Sequence, residues 1–315
     1  MITSYQAEVA LPSQAELGEG PTWDDRTRSL LWVDIVAGRI HRFRPDLGTD
    51  VSAGVRSTLG AVSLRADGGL VLALTDGLGL ASASQVRAAL PEDARRLAPG
   101  GRHAGVTLGY QRVPGFAVAG DEVRFNEGKA DPEGRFLAGT MDWHEREALG
   151  SLYQLEPGGR VSRLLGDVTI SNGLDVSDDR RILYYVDSAA GGIDAFDRDP
   201  GTGRLSSRRR VAEVPRSDGI LDGLTLDSDG CLWVAVFGGG QVRRYAPDGR
   251  LIGMLEIPAR QVTSVGFGGA RLDELFITTA RIGQPPEALA RQPRAGDLFW
   301  CQPGVSGRPW PRFAG

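Results

Sequence analysis

Four stretches of the chain carry side chains that could do chemistry together. Between Arg124 and Lys129, a guanidinium (Arg124), an amide (Asn126), a carboxylate (Glu127) and an ammonium (Lys129) crowd six residues at what reads as the entrance of a strand. The turn that follows, Asp-Pro-Glu-Gly, feeds a second apolar strand. Glu19 in GEGP, Asn172 in SNGLD and Asp222 in LDGL each set an oxygen-bearing side chain beside glycine. Taken singly, each is an ordinary turn former. Taken together, two carboxylates and one or two amide oxygens make an all-oxygen set suited by hardness to Ca²⁺, Mg²⁺ or Mn²⁺, and Zn²⁺ also binds carboxylates. Two carboxylates a few ångströms apart also call for a compensating cation, because both cannot stay ionised without one. Lys129 is the only lysine in a chain whose other basic side chains are all arginine.

What would bring such distant residues to one place is a repeat. A short apolar strand, a turn rich in Asp and Gly, and a stronger apolar strand recur six times: GEGPTWDDRTRSLLWVDI, AVSLRADGGLVLALTD, NEGKADPEGRFLAGTMD, SNGLDVSDDRRILYYVD, LDGLTLDSDGCLWVAVF and SVGFGGARLDELFITTA. A third strand-like piece follows most copies, as in GRIHRF, GSLYQL, GGIDAF, GQVRRY and GDLFW. The spacing of roughly 40 to 50 residues, with one longer gap before Asn126, is that of propeller blades. The expected fold is therefore all-β, a six-bladed β-propeller with a central metal site, forming one domain over 1–315. Two separate β-domains are the alternative, but no linker divides the chain. In a propeller the innermost strands line one channel, so equivalent positions meet at its mouth. Counting back from each second strand lands at or near Glu19, Ser63, Asn126, Asn172, Asp222 and Ser264. The best helical pattern, SQVRAALPEDARRL, is interrupted by a proline.

Composition bounds the rest. In 315 residues, 41% hydrophobic and 24% charged, there is material for a sizeable core, and 44 glycines suit many tight turns. A net charge of −4 argues against nucleic acid or an anionic membrane as partner. No apolar run approaches the roughly 18 residues of a membrane span, and the first residues lack the pattern of a signal peptide. Cys231 and Cys301 lie in or beside apolar runs, which predicts free buried thiols, no cysteine-based metal site and a cytoplasmic setting. Of the histidines, His41 falls in a third strand and His103 in a loop, while His144 follows GTMD near the expected channel mouth.

Long ordered motifs then point to a family. LGEGPTW (17–23), LLWVDI (30–35), RFNEGKADPEGRFLAGTM (124–141), ISNGLDVSDD (170–179), YYVDS (184–188), DAFD (194–197), DGLTLDSDGCLWVA (222–235), FGG (267–269) and TTAR (278–281) together make the chain resemble, nearly end to end, the senescence-marker-protein (regucalcin), gluconolactonase and luciferin-regenerating-enzyme family. The resemblance implies a six-bladed propeller with one divalent metal ion in the channel, held by Glu19, Asn172 and Asp222. It implies that Arg124 and Asn126 hold the substrate's oxygens, that Asn126 lies near the metal, and that Asp222 doubles as the catalytic base. Glu127 stands where many relatives carry Asp. The stretch DWHEREALG departs from the family's usual acidic loop, and 81–123 is longer than in the vertebrate members. That segment reads as a lid, with Tyr110 and His103 as substrate contacts; Glu127 and His144 complete the substrate side.

The activity this implies is metal-dependent hydrolysis of a sugar lactone, gluconolactonase-like, on a small-molecule aldonolactone. Two rivals differ in class: a Ca²⁺-binding regulatory propeller without catalysis, and an arylesterase- or phosphotriesterase-like hydrolase. Residues leave open which sugar, which metal and which oligomeric state.

Overall fold

In a computed structural model the chain is described at residues 2–92, 105–118 and 122–315. Six antiparallel sheets follow one another along the chain and close into a ring. Blade 1 runs through Gly18–Asp24, Ser29–Asp34, Arg39–Arg44 and Thr49–Gly54; blade 2 opens at Leu59–Leu64, blade 3 at Val123–Ala130, blade 4 at Ser171–Val176, blade 5 at Ile220–Leu226 and blade 6 at Val262–Gly268. Each of these opening strands is the innermost of its sheet and packs against the opening strands of both neighbouring blades. The all-β, six-bladed propeller expected from the repeats is thus what the chain forms.

The reason six sheets hold together is visible in where the apolar side chains go. There is no single core but six, one in each wedge between adjacent blades. Trp23, Trp32 and Phe276 fill the wedge between blades 6 and 1, for example, and Phe125, Phe136 and Val71 that between blades 2 and 3. Second strands such as Leu232–Phe237 are covered on both faces, which is why they read as unbroken apolar runs rather than alternating ones.

The ring is closed by the ends of the chain. Glu8–Leu11 supplies the outer strand of blade 6, antiparallel to Leu298–Cys301, and Thr3–Gln6 adds a parallel fifth strand to blade 5. The C-terminal tail crosses the far end of the channel. The Phe313 amide donates to Leu64 O, Ala314 to Gly134 O, and Trp310 Nε1 to Phe267 O at 2.7 Å.

The described parts of the segment 81–123 build blade 2. Ala83–Ala89 is a helix capped by Ser82 and Gln85 in a reciprocal pair of hydrogen bonds. It stops at Leu90, ahead of Pro91, and buries Val86, Ala89 and Leu90 in the wedge between blades 1 and 2. Gln111–Arg112 then forms the outer strand of blade 2. The ring of Tyr110 lies along that blade, so close to Gly79 that a Cβ there would sit 2.9 Å from it, and the Arg112 guanidinium lies over it at 6.0 Å. His103, expected as a substrate contact, lies outside the described residues. One further helix, Pro286–Arg291, gave no sign in the periodicity. Among the described residues no helix is long and apolar enough to cross a membrane.

Candidate functional site

Every blade breaks its ladder at the same place. The pairing of first and second strands shifts register between Glu19 and Thr22, Leu59 and Ala61, Phe125 and Glu127, Ser171 and Leu174, Leu221 and Leu224, and Val262 and Ser264. A bulge re-aims the side chain at the break. At five of these breaks stand Gly60, Asn126, Asn172, Asp222 and Thr263, and in blade 1 Glu19, still paired with Val33, stands immediately before the break. In five blades that residue precedes the first residue of the second strand by the same interval: Glu19 to Ser29, Gly60 to Leu70, Asn126 to Phe136, Asn172 to Ile182, Asp222 to Leu232.

Two of the six counted positions are therefore corrected. Ser63 lies further down its strand, where its Oγ accepts from the Ala130 amide. The residue at the mouth is Gly60, and no side chain fits there: a Cβ would fall 2.5 Å from Phe125 O and 2.8 Å from the Asn126 amide nitrogen. In blade 6 a longer turn moves the break to Thr263, whose Oγ1 donates to Gly18 O, while Ser264 lies one residue deeper.

A chain of hydrogen bonds links the polar residues across three blades. Arg124 Nη1 donates to Asn126 Oδ1 at 2.7 Å, Asn126 Nδ2 to Asn172 Oδ1 at 3.2 Å, Asn172 Nδ2 to Ser188 Oγ at 2.9 Å, and Ser188 Oγ to Leu221 O at 2.6 Å. Asn126 Nδ2 also donates to Ser171 O, a carbonyl that can only accept. That contact turns the Asn126 amide so that its NH₂ faces Asn172 and its oxygen faces Arg124.

Beside this chain sit the carboxylates. Glu19, Asp222 and Glu127 are all buried, at 5%, 7% and 7% exposure. Burial first, and then the charge of Glu127, pushes Glu19 up to about 8. Burial and the charges of Glu19 and Glu127 raise Asp222 well above the carboxylate range. Glu127 is raised by burial too, although Lys129 opposes the shift, and one of its oxygens accepts from the Gly128 amide at 2.7 Å. Burial likewise pulls the Arg124 guanidinium down to about 10 against the charges of Glu145, Glu19 and Asp222. Asp222 Oδ1 is buried with no hydrogen-bond partner. An orphaned carboxylate oxygen costs the fold unless something occupies it.

A hard divalent cation fits these residues. Glu19 and Asp222 offer carboxylate oxygens, one of them unpartnered, and Asn172 offers an amide oxygen. Among the described residues no three His, Cys, Asp or Glu side chains form a metal cluster. A ligand set here reaches three only by including the amide. The two free cysteines are buried in blades 5 and 6.

The rim belongs to the loop after Asp142. Asp142 accepts from the amides of His144, Arg146 and Glu147, contacts that hold its carboxyl at about 2. His144 is exposed on this loop. Trp143, 39% exposed, lies over the Arg124 guanidinium at 5.2 Å. Neither Trp143 nor Ser188 was singled out by sequence reasoning. Ser188 closes the YYVDS motif and Trp143 is the second residue of the atypical DWHEREALG stretch, and those two places were the available signals. Lys129 takes no part in the mouth: it points to the other end of the channel, where its Nζ lies 3.2 Å from Asp175.

Comparison with known proteins agrees with this architecture. The SMP-30/gluconolactonase/LRE-like region matches residues 17–281. The chain is 37% identical over 314 residues to regucalcin of Danio rerio, with 98% of each chain covered. A gluconolactonase structure from Xanthomonas campestris superposes with a TM-score of 0.66 at 26% identity, covering 93% of this chain and 88% of that one. A structure described as a calcium-binding regucalcin from Agrobacterium tumefaciens superposes over the whole of both chains with a TM-score of 0.85, and at 24% identity that likeness speaks to the fold. With the motifs, the bulged ring and the extent of these matches in agreement, the chain belongs to the SMP-30/gluconolactonase/LRE-like family.

Proposed function

We propose that the protein is a divalent-metal-dependent hydrolase that opens sugar lactones. The observation that carries the reading is the imbalance at the channel mouth. Three buried carboxylates face one guanidinium there, with Asp222 Oδ1 unpartnered. Glu19, Asn172 and Asp222 would hold the cation. When bound, it supplies Lewis acidity toward a carbonyl oxygen and lowers the pKa of water beside it.

The protein's own groups divide the remaining work. Asp222 takes a proton from the attacking water and returns it to the ring oxygen; the new C–O bond forms at the acyl carbon as the ring C–O bond breaks, leaving a hydroxy acid. Arg124 presents a fork of donors to the lactone oxygens or to the charge that develops on them. Asn126, whose oxygen is spent on Arg124, fixes that fork. Glu127 and His144 contribute the deeper and the outer substrate contacts. The exposed indole of Trp143 gives the pocket an apolar wall beside Arg124, which a site built only to store ions has no use for. The buried free thiols fit a reducing, cytoplasmic setting.

The test is a pH-drop assay on D-glucono-1,5-lactone with metal-stripped protein, restoring Ca²⁺, Zn²⁺, Mn²⁺ or Mg²⁺ in turn. Activity should return with at least one ion and stay absent in Asp222→Asn. Tight ion binding with no opening of any lactone in a panel of sugar lactones would place the non-catalytic, ion-binding role ahead. Turnover of aryl or phosphate esters in preference to lactones would favour the related esterases.

A further inference from the structure

We infer that Ser188 is a positioning residue for the candidate metal site: its hydroxyl sets the orientation of the Asn172 amide so that the oxygen, not the NH₂ group, lies on the side away from Ser188, where a cation could use it. This rests on the metal site proposed above, and it concerns a residue that touches neither the ion nor the substrate.

The argument is an accounting of protons. A terminal amide presents an acceptor on one side and two donors on the other, and the two orientations have nearly the same shape. Only its neighbours decide between them. Ser188 Oγ carries one proton, and Leu221 O, a carbonyl able only to accept, takes it at 2.6 Å. With its proton committed, Ser188 can only accept from Asn172, so Nδ2 must face Ser188. On the other side Asn126 Nδ2 is already oriented by Ser171 O, so it meets Asn172 Oδ1 as a donor. Both flanks therefore demand the same orientation. Every bond in the series from Arg124 to Leu221 O points in one direction, an arrangement in which successive bonds strengthen one another.

The burial of the pair makes the choice firm. Asn172 is 5% exposed and Ser188 3%, so water cannot replace a lost partner at little cost. Without the hydroxyl, Nδ2 loses its acceptor and only the Asn126 contact still selects the orientation; a flipped amide would set its NH₂ against Asn126 Nδ2 and its oxygen toward Leu221 O. With one of its two constraints gone, the amide is held less firmly and samples the flipped orientation more often. That orientation offers a cation no oxygen. Ser188 also joins blade 4 to blade 5 immediately ahead of Asp222, so the same hydroxyl sets the spacing between two of the three ligands.

The test is calorimetric titration of metal-stripped protein with Ca²⁺, Zn²⁺, Mn²⁺ and Mg²⁺, using wild type, Ser188→Ala, Ser188→Thr, Asn172→Ala and the Ser188→Ala/Asn172→Ala double variant. Thermal unfolding of each metal-free protein shows that it is folded. S188A should weaken the affinity of the ion that wild type binds by about 10- to 100-fold, the usual cost of losing an outer partner of a ligand. S188T, which keeps the hydroxyl, should restore most of it. In the N172A background the S188A change should cost nothing further, because the hydroxyl acts through the amide. The inference is overturned if S188A binds like wild type, if S188T binds as weakly as S188A, or if S188A costs the same with and without Asn172. If wild type itself binds none of the four ions, the metal reading fails at its source, and the role of Ser188 falls with it.

Discussion

The two ends of the channel hold polar clusters of opposite character. At the far end, Asp175 receives Lys129 Nζ at 3.2 Å, Arg308 Nη2 at 3.1 Å and the Leu226 amide at 3.0 Å, and the Lys129 ammonium lies over the Trp310 ring at 5.0 Å. Burial raises the Asp175 carboxyl, but Lys129 and Arg308 outweigh it and its pKa ends lowered. At the mouth, Glu19 and Asp222 are buried too, but there the charge of Arg124 does not outweigh burial and the neighbouring carboxylates, and theirs end raised. Burial acts alike on all three acids; what differs is whether the chain supplies enough counter-charge of its own. The far end is a finished ion pair that fastens the C-terminal tail under the ring. The mouth is an unfinished one, and a bound cation, as proposed, would complete it.

The comparison can be broken most directly at Asp222. Asp222→Asn removes the unpartnered carboxylate, and lactone hydrolysis should fall by about 10²- to 10⁴-fold, the span of a lost acid–base group. Melting of the metal-free variant should hold or rise, because a buried acid that burial and its neighbours disfavour in its charged form has gone. At the far end the consequences should invert. Asp175→Asn leaves Lys129 and Arg308 without their partner and should cost roughly 3 kcal/mol of stability, read by denaturant unfolding, with ion affinity at the mouth unchanged. A large loss of ion binding there would mean the two ends are not independent.

The pH dependence separates them as well. Glu19 has a folded value of about 8 against 4.5 for the free side chain, so the native state holds the extra proton between those values. Its contribution to stability is full below about pH 4.5 and is lost as pH rises through about 8. Metal-free protein should therefore melt at lower temperature at pH 8.5 than at pH 5.5, and saturating cation should remove most of that slope. Glu19→Gln should reduce it without any ion, leaving the part that Asp222 and Glu127 contribute. The smallest effect is expected at the rim. Trp143→Ala deletes a cation–π contact worth about 0.5–1 kcal/mol, so KM for a lactone should rise only about 2- to 5-fold with kcat little changed. An unchanged KM would remove Trp143 from the substrate wall.

How far the sequence reached depends on what kind of feature was being read. The strands were legible because the second strand of each blade is covered on both faces and must be apolar throughout, as in LLWVDI and CLWVAVF. The register was legible in four blades because Glu19, Asn126, Asn172 and Asp222 interrupt that pattern with oxygen-bearing side chains. It failed in blade 2, where the equivalent residue is Gly60 and carries no side chain to notice, and in blade 6, where one extra turn residue shifts the count. Tyr110 read as a mouth residue because it lies in a long insertion. It packs along blade 2 instead, since part of that insertion is needed as the blade's outer strand. Lys129, crowded in sequence with Arg124, Asn126 and Glu127, pairs instead with Asp175.

Composition, periodicity and motif order by themselves determined the propeller, the number of blades, the family and the identity of the oxygen-bearing residues at the mouth. These follow from side-chain chemistry repeated along the chain, which is local information. Only the folded ring decided that Glu19 and Asp222 would be buried beside one another with too little counter-charge, that Lys129 would leave the cluster it neighbours in sequence, and that the serine closing the YYVDS motif would bond an amide one blade-strand away. Those outcomes depend on dielectric, distance and which proton is already committed elsewhere, and such quantities exist only between residues that folding brings together.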